Sequence, residues 1–330
     1  MSFKRLDPED FLVSIDSVTA TAWSTNNPTL TTFFTSSVTS TNDSYYKNVY
    51  QTESTISGSA IQFAIAYGSK IGSGSANFND LVPGVTPTRT VYGQYRNLVY
   101  GSETAEFIFG TVTGSDFWAI NVDRARYKEH LLKGTFNLVL SGSGIQTLKL
   151  TDNSGMVSTD TYLDCGRVYQ IISGSNGTAY SGTGYSPSSG SYGLFLPDIA
   201  TIILNPLALS QSINLSPSRS NDSDGLNIQR LFAAVSGAAS FQLNSEETVT
   251  SDYVFVRARN SEFNYSENPS FISGSTGDVI FSTFINSPQT YMTTVGFYND
   301  TSDLLAVAKL SKPLTKDFTK EALLRVKLDF

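Results

Sequence analysis

The closing stretch ALLRVKLDF, residues 322–330, alternates apolar and charged side chains with a period of two. Leu324, Val326, Leu328 and Phe330 fall on one side, and Arg325, Lys327 and Asp329 on the other. Successive side chains of a strand point to opposite faces of its sheet, so this pattern predicts a half-buried strand. Its ending in Phe330 implies a docked terminus. Just upstream, TYMTTVGFYNDTSDLLAVAKLSKPL reads as a strand, a turn over Asn299-Asp300-Thr301-Ser302-Asp303, a second strand and a stop at Pro313.

Similar signals run through the rest of the chain. SAIQFAIAYGS (59–69) sets Ile61, Phe63, Ile65 and Tyr67 against Gln62, Ala64 and Ala66, as a strand buried on one face would. The stretch AEFIFGTVTGSDFWAINVDRARYKEHLLKGTFNLVLSGSG reads as strand, turn, strand, charged link and strand. IQTLKLTDNSGMVSTDTY predicts a hairpin turning at Asp152-Asn153-Ser154-Gly155. Val91, Tyr95, Leu98 and Val99 in TRTVYGQYRNLVYG (88–101) are spaced for a short helix, with a strand as the other reading.

Composition supports a β fold. Charged residues make up 15% of the chain, below the roughly 25% of globular proteins, and Ser and Thr fill the difference at about a quarter of the 330 residues. Aromatics at 12% exclude a disordered, solvating chain. Strand-formers mixed with Ser, Thr and Gly suit short strands and tight turns. No repeat of a propeller or solenoid is visible, and no alternation of strands with long helices. The expected class is mainly β: antiparallel β-sandwich-like domains with few short helices and long Ser/Gly-rich loops. Composition shifts at 174–193 and 218–227 divide the chain into an N-terminal β-rich domain (1–173), a Ser/Gly-rich connecting region (174–225) and a C-terminal β-rich domain (226–330).

The net charge of -7 argues against nucleic acid as a partner, since binding it requires clustered Lys and Arg. Cys165 is the lone cysteine, so no internal disulfide forms, and no Cys/His cluster could hold zinc. Nothing approaches the roughly 18 apolar residues of a membrane span. MSFKRLDPED lacks the apolar core of a secretory signal. A cytosolic chain without cofactor is expected, soluble until it meets a partner.

The chemically suggestive sites each have a plainer reading. His130 lies beside Asp123, Glu129 and Lys133, but a triad needs a placed nucleophile, and Cys165 reads as a small buried hydrophobe. GSKIGSGS (68–75) lacks the Gly-Lys-Ser/Thr ending of a phosphate loop. SNDSDGLN carries Asp222, Asp224 and Gly225, yet Ser220 and Leu231 stand where a calcium loop needs ligands. Asn42-Asp43-Ser44, Asn176-Gly177-Thr178 and Asn264-Tyr265-Ser266 match a glycosylation pattern by chance. Glu246, Glu247, Glu262 and Glu267 could supply the carboxylate pair of a glycosidase, though no spacing favours it.

A candidate protein interface remains. VFVRARNSEFNYSENPSF (254–271) passes from a strand into Arg257 and Arg259, then Phe263, Tyr265 and Phe271, with Asn268-Pro269 as a turn. Arg124-Ala-Arg126 repeats the Arg spacing. Arg beside flat rings is the mixture enriched at interfaces, although an aromatic-rich connection packed on its own core has the same composition.

Long phrases of the chain, among them SDYVFVRARNSEFNYSENPSF, QTYMTTVGFYNDTSDLLAVAKLSKPLTKDFTKEALLRVKLDF, VDRARYKEHLLKGTFNLVLSG and SYGLFLPDIATIILNP, resemble virion structural proteins of contractile-tailed phages, especially the large myoviruses of cyanobacteria. The likeness runs from FKRLDPEDFLVS to the end and is weakest in the Ser/Gly-rich middle. It implies a tail, baseplate or neck subunit, made in the host cytoplasm and placed in the virion, with other virion proteins as partners and several copies in a symmetric assembly. It implies no enzyme and no catalytic residue. The alternatives are a host-recognition or carbohydrate-binding module, with Ser/Thr/Asn loops and aromatic rings stacking on sugars, and a polysaccharide-cleaving tail enzyme.

Overall fold

The computed structural model describes residues 4–35, 46–72, 88–142, 146–218, 226–265 and 269–329. Phe330, Glu267, Ser266, Asn268, the 220–225 part of the calcium-like loop, the 42–44 tripeptide and the end of GSKIGSGS lie outside those residues. The protein is mainly β, 45% strand and 17% helical, with antiparallel sheets and a β-sandwich-like layering. It divides into two compact units: a larger one, Ser17–Glu247, and a smaller one, Met1–Asp16 with Thr248–Phe330. This partition follows contacts in space and differs from the composition breaks. Residues 174–193 connect neighbouring strands inside the larger unit, and the helix beginning at Leu226 belongs to it as well.

The larger unit is built on one long curled sheet. Its strands run in the order Thr29–Leu30, Phe241–Gln242, Asn137–Ser141, Thr147–Asp152, Gly166–Ser175, Gly193–Leu196, Thr201–Leu204, Asp116–Val122, Ile61–Ser69, Tyr46–Tyr50 and Phe34–Thr35. Alternation along the central strands feeds two cores. Ile65, Tyr67, Trp118, Ile120, Phe195 and Ile202 point to one, and Ala66, Phe117, Ala119, Leu194, Leu196 and Ile203 to the other.

Helices cover both faces. Helix α1 (Thr88–Tyr100) brings Val91, Tyr92 and Val99 into the second core, where Tyr92 meets Phe107 edge-on at 5.3 Å. Gly101, with φ of 59°, ends this helix by returning its N–H to the Asn97 carbonyl, the left-handed stop that glycine allows most readily. On the other face lie α2 (Pro206–Ile213), capped by the Asn205 side chain, and α3 (Leu226–Ala238), which buries Ile228, Leu231, Ala234 and Val235.

Two expectations are corrected in this unit. Strand Ile61–Ser69 is buried on both faces, Gln62 and Ala66 included, because elements pack on each side of it. IQTLKLTDNSGMVSTDTY forms no hairpin. Thr147–Asp152 instead pairs with Asn137–Ser141 and Gly166–Ser175, and Thr161–Leu163 pairs only with the latter. The turn residue Asp152 is fully buried and accepts the backbone N–H groups of Gly134 and Ser154, at 2.9 and 3.0 Å.

The sheet curls far enough for strands near its opposite ends to meet. Phe63 and Phe241 sit 5.5 Å apart edge-on, and Trp23 lies against Phe241 at 4.9 Å. The Trp23 indole N–H donates to the Phe241 carbonyl at 2.9 Å. Fully burying three such rings stabilises the closure by several kcal/mol, at about 2–3 kcal/mol per large side chain.

A four-stranded sheet runs in the order Phe11–Thr21, Asn244–Ala258, Ala322–Asp329, with His130–Leu131 also paired to Asn244–Ala258; the smaller unit holds the first strand up to Asp16, the second from Thr248 and the whole of the third. Ala322–Asp329 alternates between half-buried and exposed residues as its sequence predicts. A long hairpin joins Thr290–Tyr298 to Leu304–Lys316 through the expected turn, in which Asn299 Oδ1 accepts the N–H groups of Thr301 and Asp303. The second strand does not stop at Pro313. It resumes pairing with Leu314 opposite Met292 after a register shift that leaves 310–313 without register partners, a place where a residue with no N–H costs no ladder bond.

Candidate functional site

The apolar residues of the smaller unit are largely on its surface. Val254, Ala258 and Ala322 are its buried hydrophobic residues among those described. The bulkiest side chain it buries completely is Lys316, whose Nζ donates to the carbonyls of Asn260 and Asp317 and to Asn264 Oδ1, at 3.1, 3.0 and 2.8 Å. This ammonium ties the base of the hairpin to the 260–264 turn.

The hairpin itself presents Tyr291, Leu305 and Val307 at 64%, 67% and 57% exposure. Two-stranded ribbons are marginal alone and need a covered face. Strand Phe11–Thr21 is exposed almost throughout. By alternation, Phe11, Val13 and Ile15 occupy one face and Leu12 and Val18 the other. Ile15 is 70% exposed. Covering each of these side chains would contribute about 1–2 kcal/mol, scaled down from about 1.5–3 kcal/mol for complete burial.

Five of the interface candidates lie in the smaller unit. Arg257 is exposed at the strand end, in register with Leu323, and its carbonyl accepts from Lys4. Arg259, also exposed, follows the last strand residue; its backbone N–H donates to Glu262 Oε2 at 2.9 Å. Phe263 is half-buried at φ 56°, and its carbonyl accepts from the Thr290 hydroxyl at 2.7 Å. Tyr265 is exposed, whereas Phe271 is half-buried against Phe284 and Phe281 at 4.6 and 6.3 Å. Phe271 therefore serves the packing of its own loop with α4 (Ser282–Asn286).

Arg124 and Arg126 belong to the larger unit, in a single turn capped by Asp123. Arg124 stacks over Tyr127 at 4.7 Å and donates to its carbonyl at 2.6 Å. The matching Arg spacing thus describes two different local settings, one a turn and the other a strand end.

The acid–base candidates are engaged locally. His130 Nε2 lies 3.1 Å from Glu246 Oε2, and Glu246 also accepts from the Ser17 hydroxyl. The Ser17 bond first, and the His130 bond after it, hold the Glu246 carboxyl below its ordinary range. Glu247 pairs with Lys128, and Glu262 with Lys4. Burial pushes the Cys165 thiol up to about 11, and its half-buried side chain packs against the core beneath α1. Glu246 and Glu247 are consecutive on a strand and so point to opposite faces. Among the described residues there is no group of three or more His, Cys, Asp or Glu able to hold a metal, and no helix long and apolar enough to cross a membrane.

A further polar cluster, unseen in the sequence, gathers around strand Gly166–Ser175 of the larger unit. Lys133 grips both oxygens of Asp160 at 2.8 and 3.0 Å, and Arg167 holds Asp198 through a bond of 2.5 Å. Burial raises the neighbouring Tyr169 hydroxyl to about 12. Its cations and carboxylates satisfy one another, as a structural clamp requires.

The sequence missed Phe11, Val13, Ile15, Leu305, Val307 and Lys316 as parts of a surface. FLVSIDSV and LLAVAKL carried the signal, since each places apolar residues on both faces of a strand. The fold and this surface define a mainly antiparallel β protein with one well-packed unit and one whose apolar faces are open. No family model matches the chain, and comparison with curated proteins and with solved structures gives no match.

Proposed function

We propose that this chain is a structural subunit of a virion, a tail or baseplate part that works through protein–protein contacts and carries out no catalysis. The observation that carries this reading is the open apolar surface of the smaller unit, on the hairpin and on the strand segment Phe11–Asp16. Surfaces of this kind mark interaction sites, and large assemblies gain stability by covering them. The phage assignment is supported by the resemblance of long phrases, two of which span most of the smaller unit. Mass spectrometry of purified contractile-tailed particles should find the chain, and hydrogen exchange should show 290–316 protected in the particle but not in the free chain. Absence from particles would end the virion reading, and equal protection in both states would end the docking role of the hairpin.

A further inference from the structure

Resting on that reading, we propose that copies of this chain add head to tail, the edge strand Phe11–Asp16 of one copy pairing beside the edge strand Ala322–Asp329 of the next. Both flank the central strand of the smaller unit's sheet, and each lies at an end of that sheet among the described residues. Each therefore offers a row of backbone N–H and C=O groups to a further strand.

The two edges differ in chemistry. Phe11-Leu12-Val13-Ser14-Ile15-Asp16 has no Lys, Arg, Pro or Gly, the devices by which proteins block an edge, and Asp7, Glu9 and Asp10 lead into it. The opposite edge exposes Leu323, Arg325 and Lys327. Arg325 and Lys327 lie over the Tyr253 ring at 5.4 and 5.9 Å. Lys327 is paired with Asp329 at 2.9 Å, while Arg325 has no carboxylate partner among the described residues.

These charges select between geometries. A two-fold contact made by Phe11–Asp16 alone would set Asp16 and the acids before it near one another, and one centred between Arg325 and Lys327 would set cations against cations. Addition of one edge to the other brings opposite signs and exposed apolar residues together along the whole contact. Such a contact is heterologous, so it continues into a ring or a filament and does not stop at a dimer.

Charge exchange in the full chain tests this. Glu9→Lys with Asp16→Lys makes one variant, and Arg325→Glu with Lys327→Glu the other; all four side chains are exposed, and circular dichroism checks that the folds are kept. Sedimentation velocity at low salt should show the unaltered chain forming species beyond a dimer. Each variant alone should self-associate at least 10-fold more weakly, and an equimolar mixture should recover the assembly. A wild-type chain that remains monomeric, or stops at a dimer, overturns the proposal, as does a mixture that fails to recover. A chain that is monomeric yet present in particles would remove this contact and leave the virion reading standing.

Discussion

The larger unit closes its sheet over aromatic side chains, whereas the smaller unit encloses a lysine. In the first, Trp23, Phe63 and Phe241 join distant parts of a curled sheet, and helices cover both faces. In the second, the bulkiest fully buried group is the Lys316 ammonium, and apolar strands face outward. Apolar side chains that are buried in one remain exposed in the other. Such a division is expected when one part of a chain must be stable by itself and another is completed by neighbours.

This contrast can be broken by measurement. Phe63→Ala should cost the larger unit about 3–5 kcal/mol, the range for emptying a packed aromatic site, read from denaturant unfolding followed by tryptophan fluorescence. Both tryptophans, Trp23 and Trp118, lie in that unit, so the signal reports it alone. Lys316→Ala should cost about 1–3 kcal/mol, because the carbonyls of Asn260 and Asp317 lose a buried donor; here far-UV circular dichroism should change while tryptophan emission stays constant. If both probes move together, the units do not unfold separately and the comparison fails.

Acid should sharpen the distinction. Glu262, Asp303, Asp317 and Asp329 are all held below the ordinary carboxylate range. The Arg259 N–H lowers the first, the Thr301 hydroxyl the second, the Thr319 hydroxyl the third, to about 2, and Lys327 the fourth. A depressed acid stabilises the fold above its unfolded pKa and loses that contribution as pH falls through the folded value. The larger unit also has depressed acids, Asp160, Asp198 and Glu246, but burial raises Asp152, whose protonation relieves a cost. Between about pH 4 and pH 2 the circular dichroism signal should therefore fall before tryptophan emission shifts. The smallest effect is expected from Val307→Ser, within about 0.5 kcal/mol in the free chain, as for other open surface positions. A loss of 2 kcal/mol or more would show that the hairpin is already covered.

Much of this organisation was legible in local patterns. The final strand, the hairpin turn at Asn299–Asp303 and helix α1 each follow from spacing, since each depends on neighbours a few residues away. What stayed hidden depends on distant partners. The second buried face of Ile61–Ser69 requires the elements packed on it, and the curl requires Trp23 and Phe241, far apart in sequence. Pairing of Thr147–Asp152 with strands on both sides removed the hairpin that its turn residues suggested. Lys316 was illegible for another reason: lysine is almost never fully buried, so no pattern marks it. Of the candidate interface, exposed Arg257, Arg259 and Tyr265 sit in the open unit, while Phe271 packs within its own loop. Residue composition alone does not separate those two fates.

The order of the sheet that holds Phe11–Thr21 has a consequence for biosynthesis. Phe11–Thr21 leaves the ribosome more than two hundred residues before Asn244–Ala258, the strand it must lie beside. At about 5–20 residues per second, that water-averse segment waits for tens of seconds without its mate. During translation on a crowded polysome, nascent chains carrying the same unmatched segment stand close together. A holdase that shields the first twenty residues should therefore raise the yield of native protein more than one acting on the finished chain.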